Sequence, residues 1–204
     1  MAWIEEKTIT LAGDRPVVIR TARPADARAL RDFQLRVFAD SEYMIHRPQE
    51  YQRSVGNEKR ILRAKYESPN QLYLAAESGG AMVALLTSRV DLRQRVRHTI
   101  YMGLAVERAW RGQRLGEALM RLFIGWAQSV EDLRRIELNV TDGNAPAQRL
   151  YKKLGFEEEG RRKRAIHFGG GDYRDDIIMC RHMERRIKPL PDPAVLALEG
   201  EHGP

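Results

Sequence analysis

Apolar residues gather in several short stretches bounded by turn residues, and in YMGLAV they alternate. VVIRTA (Val17 to Ala22), LYLAAE (Leu72 to Glu77), AMVALLTSRV (Ala81 to Val90), RHTIYMGLAV (Arg97 to Val106) and RRIELNV (Arg134 to Val140) read as strands. Gly79 and Gly80 make the tight turn between the second and third of these, which predicts a hairpin. FEEEGRRKRAIHF and DYRDDIIMCRHM, joined across Gly169 to Gly171, read as two further strands. Between the strands the period lengthens. Pro24 and Asp26 open a helix through Leu30, Phe33 and Val37, and a second helix is expected over Gln49 to Tyr66, stopped by SPNQ. Leu115, Leu119, Leu122 and Trp126 mark one face of a third, and Asn144 to Leu154 a fourth, with Gly155 at its C-terminal stop.

Strands in hairpins with one helical crossover between them imply an α/β fold, a mixed sheet flanked by helices. The first 16 residues read as an N-terminal extension, either an added strand or an arm, ahead of a domain over residues 17–185. Residues 186–204 are proline-rich and polar at their end, and read as an arm or a partly disordered tail.

Composition narrows the picture. The 204 residues suit one domain of middling size. The longest apolar runs fall far short of the roughly 20 residues needed to span a membrane, and the N-terminus has no signal-like apolar region. Cys180 is the single cysteine, so an intrachain disulfide and a cysteine-rich zinc site are excluded, and no metal is expected. These features point to the cytoplasm. The formal charge of +7 is spread along the chain, with no run stronger than Arg161 to Arg164. Dispersed charge reads first as a solvated arginine-rich surface; a basic surface can attract nucleic acid or equally a phosphorylated cofactor, and specific nucleic-acid binding is not expected.

Between the strand ending at Val106 and the third helix lies RGQRLGEA (Arg111 to Ala118). A short glycine-bearing turn between strand and helix presents backbone N–H groups at the helix N-terminus, where the dipole favours an anion. Arg111 and Arg114 add positive charge, and Gly112 and Gly116 allow close approach. A diphosphate is the natural guest. The turn has neither GxxxxGK[ST] nor GxGxxG, so it is not a nucleotide P-loop or a dinucleotide fingerprint.

Downstream, NAPAQRLYKKLGF (Asn144 to Phe156) completes a second pattern. Together with LAVERAWRGQRLGEAL it resembles the GNAT superfamily of acetyl-coenzyme-A-dependent N-acetyltransferases, over about Val17 to Met183 and most closely between Met102 and Phe156. The superfamily's [Q/R]-x-x-G-x-[G/A] is met by Arg111 to Gly116, with Arg114 in place of the usual first glycine. Its N-x-x-A-x-x-x-Y-x-x-x-G-F is met by Asn144, Ala147, Tyr151, Gly155 and Phe156.

The resemblance implies a twisted, mostly antiparallel sheet of about seven strands with about four helices, splayed between its fourth and fifth strands. It implies acetyl-CoA as co-substrate. The amides of Arg111, Gly112, Gln113, Arg114, Leu115 and Gly116 would hold the pyrophosphate, and Leu104, Ala105 and Val106 would pair with the pantetheine arm. Asn144 would bond that arm, unless it serves only as a helix N-cap. Tyr151 would protonate the leaving thiolate, unless it is a core aromatic.

The general base is open. Many relatives carry a glutamate on the strand before the turn, and here that strand offers only His98 and Tyr101 as polar candidates. Histidine has the better pKa for a base. Glu77, Glu137 and Asn139 on neighbouring strands, or water, are the alternatives. The loop ADSEYMIHRP and the GGGDY turn are expected to line the acceptor side, with Asp40, Glu42 and Asp172 available to attract an amine. The expected reaction is acetylation of a primary amine, a small molecule such as an amino acid, amino sugar or polyamine ahead of a protein N-terminus or lysine. The competing class is a non-catalytic acyl-CoA-binding or basic binding module. A homodimer is compatible with the pattern and not required by it.

Overall fold

A computed structural model describes residues 2–183. The tail expected over residues 186–204 lies outside the described residues. Eight strands form one sheet in the order β1-β2-β3-β4-β5-β6-β8-β7. In chain order they are β1 (Lys7–Leu11), β2 (Arg15–Thr21), β3 (Leu74–Ser78), β4 (Ala81–Val90), β5 (Thr99–Val106), β6 (Arg135–Thr141), β7 (Glu157–Gly169) and β8 (Asp172–His182). The helices are α1 (Ala27–Asp40), α2 (Val55–Glu67), α3 (Leu115–Ser129) and α4 (Ala145–Lys153).

The strand beyond the expected seven is β1, which pairs antiparallel with β2 from Lys7↔Ile19 to Leu11↔Arg15. Of the two readings of the N-terminal residues, strand or arm, the structure has the strand. Ala2 and Leu11 are buried in the main core, and the Ala2 amide donates to the Ser68 carbonyl at 2.8 Å.

Two apolar clusters cover the two faces of the sheet. On one face α1 and α2 pack Leu30, Phe33, Val37 and Leu62 against Ala75, Met82 and Leu85. On the other, Leu115, Leu119, Met120 and Phe123 of α3 pack against Ile19, Leu74, Leu86, Ile100 and Ile136. The buried stripe of α3 therefore runs through Leu115, Leu119, Phe123 and Ala127, while Leu122 and Trp126 of the expected face lie at its border. Each four-residue step drifts about 40° on a helix of 3.6 residues per turn, so the core-facing side is centred near Phe123 and Ala127 and leaves Leu122 and Trp126 at its edge. The second helix starts at Val55 rather than Gln49. Ser54 caps it by accepting the Asn57 amide at 3.2 Å, and Pro48–Glu50 form a separate short turn.

Among the described residues the only parallel pairing is between β5 and β6, and it is short: Thr99↔Arg135, Ile100↔Ile136 and Tyr101↔Glu137. Beyond Tyr101 the strands diverge. β5 stays paired with β4 as far as Ala84↔Val106, and β6 stays paired with β8 as far as Thr141↔Asp176. The splay expected between the fourth and fifth strands is this one, shifted by one number because β1 precedes them. The facing edges beyond Tyr101 and Glu137 are left without a strand partner.

Candidate active site

The split opens into a cleft of about 630 Å³. Leu104, Ala105 and Val106 of β5 form one wall, and Asn139, Val140 and Thr141 of β6 the other. The first residues of α3 and the inner face of α4 close one side. Ser41, Tyr43, Met44, Ile45 and His46 of the α1–α2 loop cover the other. That loop is tied across the open end: the Tyr43 hydroxyl donates to the Gly143 carbonyl, and the Thr141 hydroxyl to the Tyr43 carbonyl, both at 3.3 Å.

The basic turn sits at the mouth. Gly112 has φ +73°, and a Cβ there would meet nothing within 4 Å, so the backbone lies open to an incoming group. Arg114, which stands where the family has glycine, is also left-handed, at φ 66°. An arginine thus holds a backbone conformation that glycine adopts without strain, at a cost of about 1–2 kcal/mol. α3 begins at Leu115, and the first turn of a helix has N–H groups without intrahelical acceptors. Those groups, with Arg111 and Arg114 lining the same mouth, make a site for anionic oxygens.

Gly116 lines the cleft and also has a packing role. A Cβ there would come within 3.3 Å of Leu104 and 3.4 Å of Leu150, so its glycine lets α3 approach β5 and α4 closely. Gln113 is turned away from the cleft. Its amide oxygen accepts from Arg15 of β2 and its amide nitrogen donates to the Ala109 carbonyl at 2.8 Å, while Arg15 lies over the Trp110 ring. The N-terminal hairpin thus braces the turn. Only the backbone of Gln113 is available to a ligand.

The second motif has a physical reason for each of its residues. Asn144 caps α4 by accepting the Ala147 amide at 3.3 Å, and it lines the cleft as well. Gly155, at φ +78°, takes the left-handed turn that ends the helix, and the Phe156 amide then folds back onto the Tyr151 carbonyl at 3.0 Å. The Phe156 ring packs 6.0 Å from the Tyr151 ring. Gly155 and Phe156 therefore set the position of Tyr151. Burial pushes the Tyr151 phenol up to about 12. Its hydroxyl makes no hydrogen bond among the described residues and is not sealed from solvent, so it opens onto the cleft that its residue lines.

His98 is a correction. It precedes β5 at the joined end, is exposed, and does not line the cleft; its carbonyl accepts the amides of Arg134 and Arg135. The wrong end of the strand was chosen because local sequence does not say which end parts from its neighbour. Glu77 pairs with Arg20, and Glu137 with Arg135 at 2.8 Å. Asn139 lines the cleft and donates to Asp176 at 2.8 Å. Asp176 escaped the sequence reading. It is a buried carboxylate of β8 on the cleft wall, and the one signal for it was an acidic residue just ahead of an apolar strand run.

The acceptor-side expectations divide. The α1–α2 loop lines the cleft, whereas the GGGDY turn contributes none of its residues. Asp40 pairs with Arg108 at 3.1 Å, Asp172 pairs with Arg174 at 2.8 Å, and neither they nor Glu42 reach the cleft. The basic run on β7 is largely spent within the chain. Arg161 bridges Asp142, Glu158 and Asp175, Arg162 meets Asp176, and Arg164 stacks on Tyr173. One group of residues, Glu159, Cys180 and His182, has the composition of a metal site, but none of them lines the cleft and Arg135 already holds Glu159. Among the described residues no helix is long and apolar enough to cross a membrane.

Two strands parted beside a helix N-terminus, with a phenol at the split, leave room for an extended, phosphate-ended arm between the strands. Residues 34–156 match the sequence model of the Acetyltransferase (GNAT) family, and the chain belongs to that family. It is 32% identical over 167 residues to the L-amino acid N-acetyltransferase AaaT of Escherichia coli, a match covering 81% of this chain and 97% of that protein. It is 25% identical to the N-alpha-acetyltransferase RimI of Mycobacterium tuberculosis, over 79% of this chain and 91% of that one. Among solved structures, a GNAT-family acetyltransferase from Streptococcus pneumoniae superposes with a TM-score of 0.79 at 29% identity, over 82% of this chain and 99% of that one. The protein is thus an N-acetyltransferase that takes its acetyl group from acetyl-CoA.

Proposed function

We propose that this chain acetylates the primary amine of a small amino-acid-like acceptor, by direct attack of the amine on acetyl-CoA in a ternary complex. The carrying observation is the cleft itself, in which unpaired strand edges, helix-start amides and the Tyr151 hydroxyl converge. The pyrophosphate of acetyl-CoA fits the Arg111–Gly116 turn through its backbone N–H groups, with Arg111 and Arg114 supplying charge. The pantetheine arm fits along Leu104, Ala105 and Val106 as an added strand would, and Asn144 faces it from the α4 side. The bound co-substrate supplies the activated thioester. The amide near Leu104 would stabilise the oxyanion. Tyr151 holds a proton for the thiolate, because a phenol raised to about 12 is neutral at any working pH.

The amino-acid preference has two supports. One is the full-length relative AaaT, whose acceptors are L-amino acids. The other is a side pocket of about 230 Å³ that shares Thr87, Met102, Gly103 and Asn139 with the cleft. Arg89 lines this pocket, stacked 4.2 Å over Tyr101; Asp91 feels its charge, but it makes no salt bridge among the described residues. A guanidinium outside any salt bridge, beside the acceptor space, suits the carboxylate of an amino acid.

The second reading, acetylation of a protein N-terminus, is favoured by the RimI relative. The non-catalytic reading is not favoured, since the turn keeps its backbone shape at Arg114 and the cleft has a carboxylate on another strand. The test is thiol release from acetyl-CoA with free amino acids, their amides, polyamines and alanine-initiated peptides. Amino acids should turn over fastest, and Arg89→Gln should raise their KM on the order of tenfold while leaving their amides unaffected. Faster turnover of peptides than of amino acids would reverse the order of the two readings.

A further inference from the structure

We propose that Asp176 is the general base of the transfer, the carboxylate that receives a proton from the acceptor's ammonium before attack. This rests on the acetyl-transfer reading and not on which amine is the acceptor.

Elimination isolates it. Two carboxylates line the cleft, Glu117 and Asp176. Glu117 belongs to the first turn of α3, where Arg121 and Lys153 hold it at 2.7 and 2.6 Å. Its carboxyl is accordingly held below the usual range by those two cations. Glu77 and Glu137 are outside this cleft and each is paired with an arginine.

Asp176 differs in how its two oxygens are used. It is only 7% exposed. Asn139 donates to Oδ2 at 2.8 Å, and the Arg162 guanidinium meets the same oxygen at 2.6 Å. Oδ1 accepts no hydrogen bond among the described residues and is not sealed off. The carboxylate is therefore oriented through one oxygen and leaves the other available to the cleft. Its orienting partner, Asn139, lies on β6 two residues past Glu137, on the edge that the splay leaves unpaired. Arg162 from β7 meets it, and Tyr43 and His46 from the α1–α2 loop and Tyr151 from α4 line the same cleft.

The step balances. The acceptor's ammonium gives one proton to Asp176 Oδ1, and the neutral amine attacks the thioester carbon. The C–N bond forms, the C–S bond breaks, and Tyr151 donates to the departing sulfur. The second nitrogen proton restores the Tyr151 phenol through solvent, and Asp176 releases its proton to bulk. The products are the amide, free CoA thiol and one proton.

The test uses the full chain, acetyl-CoA, and the fastest acceptor among the standard L-amino acids and an alanine-initiated tripeptide. Asp176→Asn preserves shape and the Asn139 contact. It should lower kcat about a hundredfold or more, with KM and calorimetric affinity for acetyl-CoA within about twofold of wild type. In that variant only the free-amine fraction reacts, so kcat/KM should climb tenfold per pH unit toward the acceptor's own pKa, while the wild-type profile levels off earlier. Asp176→Glu should recover part of the loss. A raised KM with unchanged kcat would overturn the proposal and make Asp176 an ammonium anchor. Equal activity of the Asn variant and wild type would overturn it outright. Wild-type silence on the whole panel would instead overturn the transfer reading, and this assignment with it.

Discussion

The two ends of the β5–β6 pair are built from the same kinds of residue and differ in what is left over. At the joined end, three rungs of parallel pairing consume the facing backbone groups, and Arg135 takes up Glu137 and Glu159. At the open end the same two strands face each other without pairing. There the polar groups keep spare capacity: the Tyr151 hydroxyl, the Asp176 Oδ1 and the first-turn amides of α3. Chemistry needs groups that are positioned yet unsatisfied, and a splayed sheet supplies them without burying them in the core. The comparison is sharpened by changes that subtract capacity at the open end and broken by changes that matter at the joined one.

The largest expected effect is at Tyr151. Tyr151→Phe keeps the ring that packs on Phe156 and removes only the hydroxyl. Turnover should fall on the order of a hundredfold, while calorimetry shows little change in acetyl-CoA affinity. The same burial has a consequence for stability. With the folded phenol near 12 and the unfolded one near 10, the unfolded chain loses its proton first. Stability should therefore fall as pH rises from about 10 to about 12, and this slope should be shallower in the phenylalanine variant. Unchanged turnover in Tyr151→Phe would leave proton delivery to water.

Next in size is the turn. Gly112→Asp places a carboxylate in open space beside the phosphate site and forces a side chain onto a backbone at φ +73°. Acetyl-CoA affinity should drop about tenfold, equivalent to about 1.4 kcal/mol. Gly116→Asp is the less informative variant, because its side chain collides with Leu104 and Leu150 and changes packing as well as charge. A folded Gly112→Asp protein with wild-type affinity would remove the phosphate from this turn. Arg114→Gly should act more weakly. It relieves the left-handed strain and keeps the amide, so its loss should be a few-fold at low salt and should shrink as salt screens the missing charge.

What the sequence made legible follows the same division. Short apolar runs between turn signals located the interior strands, because both faces of β3 and β4 meet an apolar cluster. Motif spacing located Tyr151 and the turn, because both depend on local geometry: a helix cap, a left-handed glycine, a strand running into a helix. β1 was left open because KTITL alternates at a sheet edge and buries only Leu11. Asp176 was illegible for a different reason. Its role depends on the pairing Thr141↔Asp176 and on Asn139 reaching across from β6, and no local pattern encodes which strands become neighbours. Arg114 looked like a defect in the motif, whereas its φ of 66° shows the conformation preserved without the glycine.

The smallest expected effect tests the comparison from its quiet side. His98 has the chemistry of a base, and a strand-borne histidine before the turn invites that role. Its position denies it: the side chain is exposed, it is outside the cleft, and the residue's contribution is a carbonyl that accepts from Arg134 and Arg135. A backbone acceptor survives any side-chain change. His98→Gln should therefore leave kcat and KM for acetyl-CoA within about twofold of wild type, and an exposed substitution of this kind should shift stability by no more than about 0.5 kcal/mol. The measurement is steady-state turnover across about pH 5 to 8, the range in which an ordinary histidine changes charge. A profile that keeps its shape in the variant places every titrating group of the reaction at the open end. A loss of tenfold or more, confined to kcat, would mean that the joined end reaches the chemistry, and the division drawn from β5 would have to be abandoned.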